Sequence, residues 1–387
     1  MKIVQPIGTI AGTAISRIAI TLAEEFARQG HESTLVVWNR AKLDREIDPR
    51  VKIIETRIVG VSRRNLWTKF LRGVFKPLLG AQLFLVFFAP LISRQLQKKV
   101  LDKGDYDVAI LHAHSVFGLR YIKMPYLVVA HSTKSKQLLK ARFTWQNELL
   151  RHIYIRVYNG KRIGTVSDGI REDFIKHFAQ NPKNLSTLNN PFDLDVIRAR
   201  AEEAPEGGLP CEKYIVSLGR NDPQKRFDRL IRAYAKANID EHLVILGRAN
   251  ENAELLKQVA AFDLKERVHF VGFKTNPFPF IKAAKILVVS SDYEGLPSTL
   301  IESLICGTPV VSTDCPSGPR EILRGELSQW LAPVDDEARL ARLIEEGVRS
   351  PYEVSNELVD RYDQAEIAKK YLAVLQEVFA GCRNDIG

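Results

Sequence analysis

At 387 residues, with 45% hydrophobic and 26% charged residues, the chain has material for two cores and none of the bias of a disordered or fibrous protein. Its four cysteines, Cys211, Cys306, Cys315 and Cys382, show neither a C-x-x-C pair nor zinc-finger spacing, so no disulfide framework is implied and a reduced cytoplasmic compartment is expected. The net charge of +10 is uneven: residues 1–200 hold 33 Lys and Arg against 16 Asp and Glu, whereas residues 201–387 hold 23 against 30. Only the first half therefore suits an anionic surface such as lipid headgroups. No RRM, KH, zinc-finger or helix-turn-helix pattern favours nucleic acid.

In chain order, the opening MKIVQPIG runs from a strand straight into a glycine turn, without the basic and apolar regions of a secretory signal. Strands are predicted over residues 2–5, 34–38, 51–55, 108–111 and 126–130, with helices over 13–29, 83–101 and 136–158. Such alternation predicts a parallel sheet with helices on both faces. A second set of strands follows over 214–218, 243–246, 268–271, 286–290 and 310–312. The fold class is thus α/β, with two Rossmann-like doubly wound domains facing across a cleft. The first domain is expected over residues 1–200 and the second over 213–363. The stretch Ala-Pro-Glu-Gly-Gly-Leu-Pro breaks periodicity inside a linker at 201–212, and a last helix begins at Gln364.

Residues 62–100 stand apart. Arg63, Arg64, Lys69, Arg72 and Lys76 precede an uncharged run from Pro77 to Ser93, 17 residues long and interrupted by Pro77, Gly80 and Pro90. That length lies at the lower edge for crossing a bilayer, so no transmembrane helix is expected. Two readings stay open: an interfacial helix that lays Trp67, Phe70, Leu71, Phe75 and the aromatic cluster at 84–88 on an anionic inner leaflet, or a buried helix beside the first sheet.

The chemistry concentrates where residues 291–311 read SDYEGLPSTLIESLICGTPVV. Gly295 and Pro297 mark a turn into a helix over 297–306, whose free N–H groups attract an anion. Glu302 then lies on the helix and Glu294 on the loop, at a strand's carboxyl end, where α/β sheets bind ligands. Thr299 and Glu302 equally match a capping box, which would give Glu302 a purely local task. Earlier, Gly219 to Asp228 (GRNDPQKRFD) follow the strand 214–218 and offer Arg220 as a fork and Lys225 as a point charge to a diphosphate, with surface ion pairs as the plain alternative. In the first half, Gly8 and Gly12 form a G-x-x-x-G turn that lets amides approach a phosphate or sugar but lacks the dinucleotide fingerprint. His112, His114 and His131 sit at strand ends. The D-x-D strings Asp105/Asp107 and Asp193/Asp195 read as surface turns, and no metal is expected on them.

Arg220, Lys225, Glu294 and Glu302 together closely resemble the E-x7-E signature, with its preceding Arg and Lys, of the large retaining glycosyltransferase family 4 of GT-B architecture. The resemblance is strong over residues 213–323 and loose over the first domain. It implies that Glu294 meets the donor's sugar hydroxyls, Glu302 its ribose, and Arg220 and Lys225 the leaving diphosphate, with Gly295, Leu296, Pro297, Ser298 and Thr299 forming the helix start. It further implies that His131 approaches the transferred sugar, that Gly12, Ser167 and Asn190 line the cleft, and that Phe273 and Lys274 meet the nucleobase. A closing helix at 364–387 would return to the first domain. One departure is Arg226, where the family has glycine.

The string TDCPSGPREIL at 313–323 resembles members that assemble lipopolysaccharide, capsule and lipid-linked glycans, commonly from UDP-galactose or UDP-N-acetylhexosamines. The activity so implied is metal-independent, retaining transfer of a hexose or N-acetylhexosamine from a UDP-sugar, which is a substrate and not a cofactor. The acceptor is a lipid-linked or lipopolysaccharide-type glycan at the inner face of the cell membrane. Two rivals are a sugar-nucleotide epimerase of GT-B architecture, which needs extra acid–base groups at the sugar, and a non-catalytic glycan- or lipid-binding protein, which has no need of the four charged residues.

Overall fold

The computed structural model describes residues 1–9, 14–39, 46–56, 89–112, 116–138 and 144–384. Contacts divide the chain into two units, Met1–Pro191 with Gln364–Gly387, and Phe192–Asp363. Among the described residues the first unit holds seven strands: β1 (Lys2–Thr9), β2 (Glu32–Asn39), β3 (Lys52–Glu55), β4 (Val108–His112), β5 (Tyr126–Ala130), β6 (Ile163–Thr165) and β7 (Leu185–Thr187). They pair in parallel in the order β3-β2-β1-β4-β5-β6-β7. Every residue of β4 is buried, as the continuous apolar run of a strand covered on both faces requires.

The second unit repeats the plan with β8 (Tyr214–Leu218), β9 (His242–Leu246), β10 (Val268–Gly272), β11 (Leu287–Val289), β12 (Val310–Thr313) and β13 (Leu331–Ala332). Their order is β10-β9-β8-β11-β12-β13, again all parallel. In each sheet the order reverses once, between β1 and β4 and between β8 and β11. Loops leaving the carboxyl ends of such neighbours splay to opposite faces and open a crevice for ligands. The helix Gln364–Asn384 packs on the first unit, against the helix Ala14–Arg28 and strands β4 and β5.

Two expectations differ from the structure. The units part at Pro191/Phe192 and not within 201–212. Phe192 bridges Asp363 and donates its N–H to the Tyr362 carbonyl at 2.9 Å, and the helix Leu194–Ala201 packs on the helices Phe278–Lys282 and Ser298–Ile305 of the second unit. The loop before β8 thus lies inside that unit. The helix expected over 136–158 is described at Lys134–Leu138 and Thr144–Tyr158, and residues 139–143 lie outside the described residues. Strands β6, β7 and β13, only three, three and two residues long, were not expected at all.

Of the 62–100 segment, residues 62–88 lie outside the described residues. The remainder forms helix from Ala89 and ends in a π-helical turn, Gln97–Leu101, with Leu96, Val100 and Leu101 buried. Among the described residues no helix is long and apolar enough to cross a membrane.

Candidate active site

At the reversal between β8 and β11, two loops 69 residues apart in sequence are joined by an ion pair. Lys225 Nζ donates to Glu294 Oε1 at 2.7 Å, and the Ser291 hydroxyl donates to the same oxygen at 2.6 Å. Both charged side chains are largely buried, at 16% and 9% exposure. The loops are also stitched through backbone: Gln224 Nε2 donates to the Tyr293 carbonyl at 2.6 Å and Ser290 Oγ to the Lys225 carbonyl at 2.8 Å. Of the three protons on the Lys225 ammonium, one therefore serves Glu294, and the point charge stays fixed beneath the loop. Arg220, at the same strand end, is 81% exposed and lies 3.6 Å from Asp222, too far for a firm pair.

The helix following Glu294 runs Ser298–Ile305, with Pro297 as its N-cap and no side chain capping it. Thr299 is thus already inside the helix, which removes the capping-box reading: an N-cap Thr with Glu at N3 would need the helix to start two residues later. Thr299 Oγ1 is buried without a hydrogen-bond partner among the described residues, and Glu302, on the second turn, is 4% exposed. An uncapped helix start beside an orphaned hydroxyl is what an anionic, oxygen-rich ligand satisfies. Gly318, at φ +96°, makes the turn possible, because a Cβ there would collide with Pro297 Cδ and come within 3.0 Å of the Gly295 carbonyl.

Arg226 has a structural explanation. It sits in the left-handed region at φ 49°, where glycine is favoured, and caps the helix Phe227–Lys236. Its guanidinium repays the backbone strain by bonding Asp228 at 2.9 and 3.0 Å and Asp292 at 3.0 Å. Arg229 closes the network on Asp292 at 2.6 Å. The Asp228 carboxyl, although partly buried, is pulled down to about 2 by its hydrogen bonds to Arg226 and Arg232.

In the first unit, the ends of β1, β4 and β5 build a chain of polar groups. The Gln5 amide donates through Nε2 to the Ala19 carbonyl at 3.3 Å, which turns its Oε1 to His112 Nε2 at 2.8 Å. His112 Nε2 must then carry the proton, leaving Nδ1 bare to accept from His131 Nε2 at 3.1 Å. His131 is thereby held as the Nε2–H tautomer, with Nδ1 unprotonated. Burial pushes His112 down to about 3, and burial, His112 and Lys134 in that order push His131 well below the usual imidazole range. Burial likewise lowers Lys134 to about 8. Both rings are neutral at physiological pH.

The other expected residues divide. Ser167 is fully buried as N-cap of the helix Asp168–Phe178, accepting from the Ile170 N–H at 3.4 Å. Asn190 Oδ1 is buried and unpartnered among the described residues. The Lys274 ammonium is committed to the Glu206 carbonyl at 2.8 Å, whereas Phe273 is 64% exposed. Asp107 accepts from the Lys2 N–H at 2.8 Å and Asp193 caps a helix through the Val196 N–H at 3.1 Å, so each D-x-D string has a backbone task. Gly12 and His114 lie outside the described residues. Sequence reasoning missed Ser291, Gln5 and Lys134. Only Lys134 left a trace, three positions after His131.

Residues 15–196 match the family described as Glycosyltransferase Family 4, and residues 200–369 that described as Glycosyl transferases group 1. The chain belongs to glycosyltransferase family 4. Over 171 residues (44% of this chain and 46% of the relative) this family 4 chain is 37% identical to N-acetylgalactosamine-N,N'-diacetylbacillosaminyl-diphospho-undecaprenol 4-alpha-N-acetylgalactosaminyltransferase of Campylobacter jejuni. It is 25% identical to lipopolysaccharide 1,6-galactosyltransferase of Salmonella typhimurium, over 51% of this chain and 56% of the relative. The matches thus span about half the length of these curated relatives.

Among solved structures, sucrose-phosphate synthase of Thermosynechococcus elongatus superposes with a TM-score of 0.75 at 17% identity, covering 98% of this chain and 100% of that one. HepE of Anabaena in complex with UDP and glucose gives a TM-score of 0.69 at 15% identity, covering 97% and 100%. These likenesses establish the GT-B fold.

Proposed function

We propose that the chain is a retaining glycosyltransferase that moves a hexose or N-acetylhexosamine from a UDP-sugar to a lipid-linked or lipopolysaccharide-type glycan, without a metal ion. The observation that carries this reading is the buried Lys225–Glu294 pair at the β8/β11 reversal, with an uncapped helix start four residues on. The relatives' names support the acceptor class, and a fold neighbour holding UDP and glucose supports the donor. No observation favours the epimerase or the non-catalytic binder.

In this mechanism Arg220, Lys225 and the amides of Ser298 and Thr299 hold the diphosphate. Glu294 orients sugar hydroxyls and Glu302 the ribose. The anomeric C–O bond breaks with its electron pair leaving on the diphosphate, through an oxocarbenium-like state. The acceptor hydroxyl then attacks from the same face and its proton passes to the departing phosphate oxygen. No second carboxylate serves as nucleophile, in contrast to retaining glycosidases.

A screen of nucleotide sugars for thermal stabilisation tests the donor, since a ligand bound only to the native state at a hundred times its Kd adds about 2.7 kcal/mol. UDP-galactose or a UDP-N-acetylhexosamine should raise the melting temperature above all GDP- and ADP-sugars; preference for one of the latter contradicts the donor assignment. We further propose peripheral binding to the inner membrane face through the basic 62–100 segment. Sedimentation with anionic vesicles should be salt-sensitive and lost when Arg63, Arg64, Lys69 and Arg72 become Glu. A wild-type protein that stays in the supernatant contradicts it.

A further inference from the structure

We infer that the second unit binds one transition-metal ion, of zinc type, through Cys211, His242 and His269. Three short segments bring these side chains together at the amino-terminal end of the sheet: Cys211 lies just before β8, His242 opens β9, and His269 is the second residue of β10. One ligand atom from each lies within 4.8 Å of the others, and all three residues are half-buried. The chain has only four cysteines and eight histidines, so three of twelve soft or borderline donors meet at one spot.

The local geometry places the three donor atoms within reach of one ion. His242 Nδ1 and His269 Nε2 approach to 2.7 Å, with ring planes 6° apart and 5.0 Å between centroids. At these distances the two rings lie edge to edge in nearly one plane, so without an ion the neutral pair shares an in-plane N–H···N bond that an ion would replace. Cys211 Sγ has only a long contact, 3.9 Å to the Lys213 carbonyl. A tetrahedral ion bound at zinc–sulfur and zinc–nitrogen lengths separates its ligand atoms by about 3.3–3.7 Å. The imidazoles therefore part by roughly half an ångström, and the thiol closes in as thiolate.

One sulfur and two nitrogens suit Zn²⁺ among the divalent ions and disfavour Mg²⁺ and Ca²⁺, which take oxygen. A fourth position remains for water. The site stands at the opposite end of the strands from Lys225 and Glu294, and strands of this length alone span about 13 Å. Its task is to tie the loop before β8 to the edge formed by β9 and β10, with no step of sugar transfer routed through it.

Cobalt titration of the chelator-stripped, full-length protein reads the site directly. One Co²⁺ per chain should produce a thiolate-to-cobalt charge-transfer band with tetrahedral d–d bands, displaced by one equivalent of Zn²⁺. Cys211→Ser should lose the charge-transfer band. His269→Gln should weaken binding by more than the roughly 10–100-fold that loss of an outer hydrogen-bond partner costs. Absence of the band in wild type at saturating cobalt overturns the inference, whether or not the variants fold. So does a band of full strength in folded Cys211→Ser.

Discussion

Alanine at Lys225 or at Glu294 lowers sugar transfer about a hundred- to a thousandfold, the effect of removing one group that stabilises charge in a transition state. Each replacement also costs the second unit about 3–5 kcal/mol, because it leaves a buried charge without its partner. Burial decides that magnitude: both side chains of the 2.7 Å pair are largely covered, and Ser291 adds a second donor to the same Glu294 oxygen. An exposed pair would be worth well under 1 kcal/mol.

The double variant Lys225→Met with Glu294→Gln separates the two effects. It replaces the pair by uncharged groups of similar volume, so most of the lost stability returns, yet transfer stays at or below the level of the single variants. Initial rates and thermal unfolding of the three variants check this. A double variant that folds and still transfers sugar at the wild-type rate removes the pair from the chemistry.

The first unit loses stability in mild acid, and His112 and His131 are the cause. Both have folded-state pKa values below that of an unfolded histidine, His112 at about 3 through burial. The unfolded chain therefore takes up protons that the folded chain refuses. The stability is fully present above about pH 6.5 and is lost as pH falls toward 3, by about 1.4 kcal/mol per pH unit for each histidine.

Denaturant unfolding at pH 7, 6, 5 and 4 should show this slope in wild type. In His112→Gln the slope between pH 6 and pH 4 should fall by about 1.4 kcal/mol per unit. Carboxylate titration is common to both proteins and cancels in the difference. Parallel profiles for the two proteins contradict the neutral, buried pair. Under the proposed function, His131 would present a lone pair at Nδ1 and no positive charge to the donor sugar at working pH.

The longer strands were legible in sequence because a strand covered on both faces is nearly continuously apolar, as residues 108–111 of β4 and 214–216 of β8 are. Strands β6, β7 and β13 were not, since two or three residues carry no period. The contact division at Pro191/Phe192 was not legible for a physical reason: Gly207 and Gly208, at φ 80° and 74°, break the periodicity within one unit, while Asn190-Pro191 reads as an ordinary turn. Glu294, Glu302, Arg220 and Lys225 could be named from their motifs. Their arrangement could not, because the Lys225–Glu294 pair depends on β8 and β11 being neighbours across 69 residues. Arg226 shows the same limit, for its tolerance of a glycine position rests on Asp228 and Asp292. Cys211, His242 and His269 come together only once β8, β9 and β10 lie side by side.

Calorimetric titration of UDP into wild type and into Lys225→Met with Glu294→Gln, both shown to be folded, tests the central claim most directly. Wild type should bind UDP, and the double variant should bind at least about a hundredfold more weakly, the loss expected when a charge-assisted contact to the diphosphate is removed. Equal affinities would contradict the assignment of the donor site.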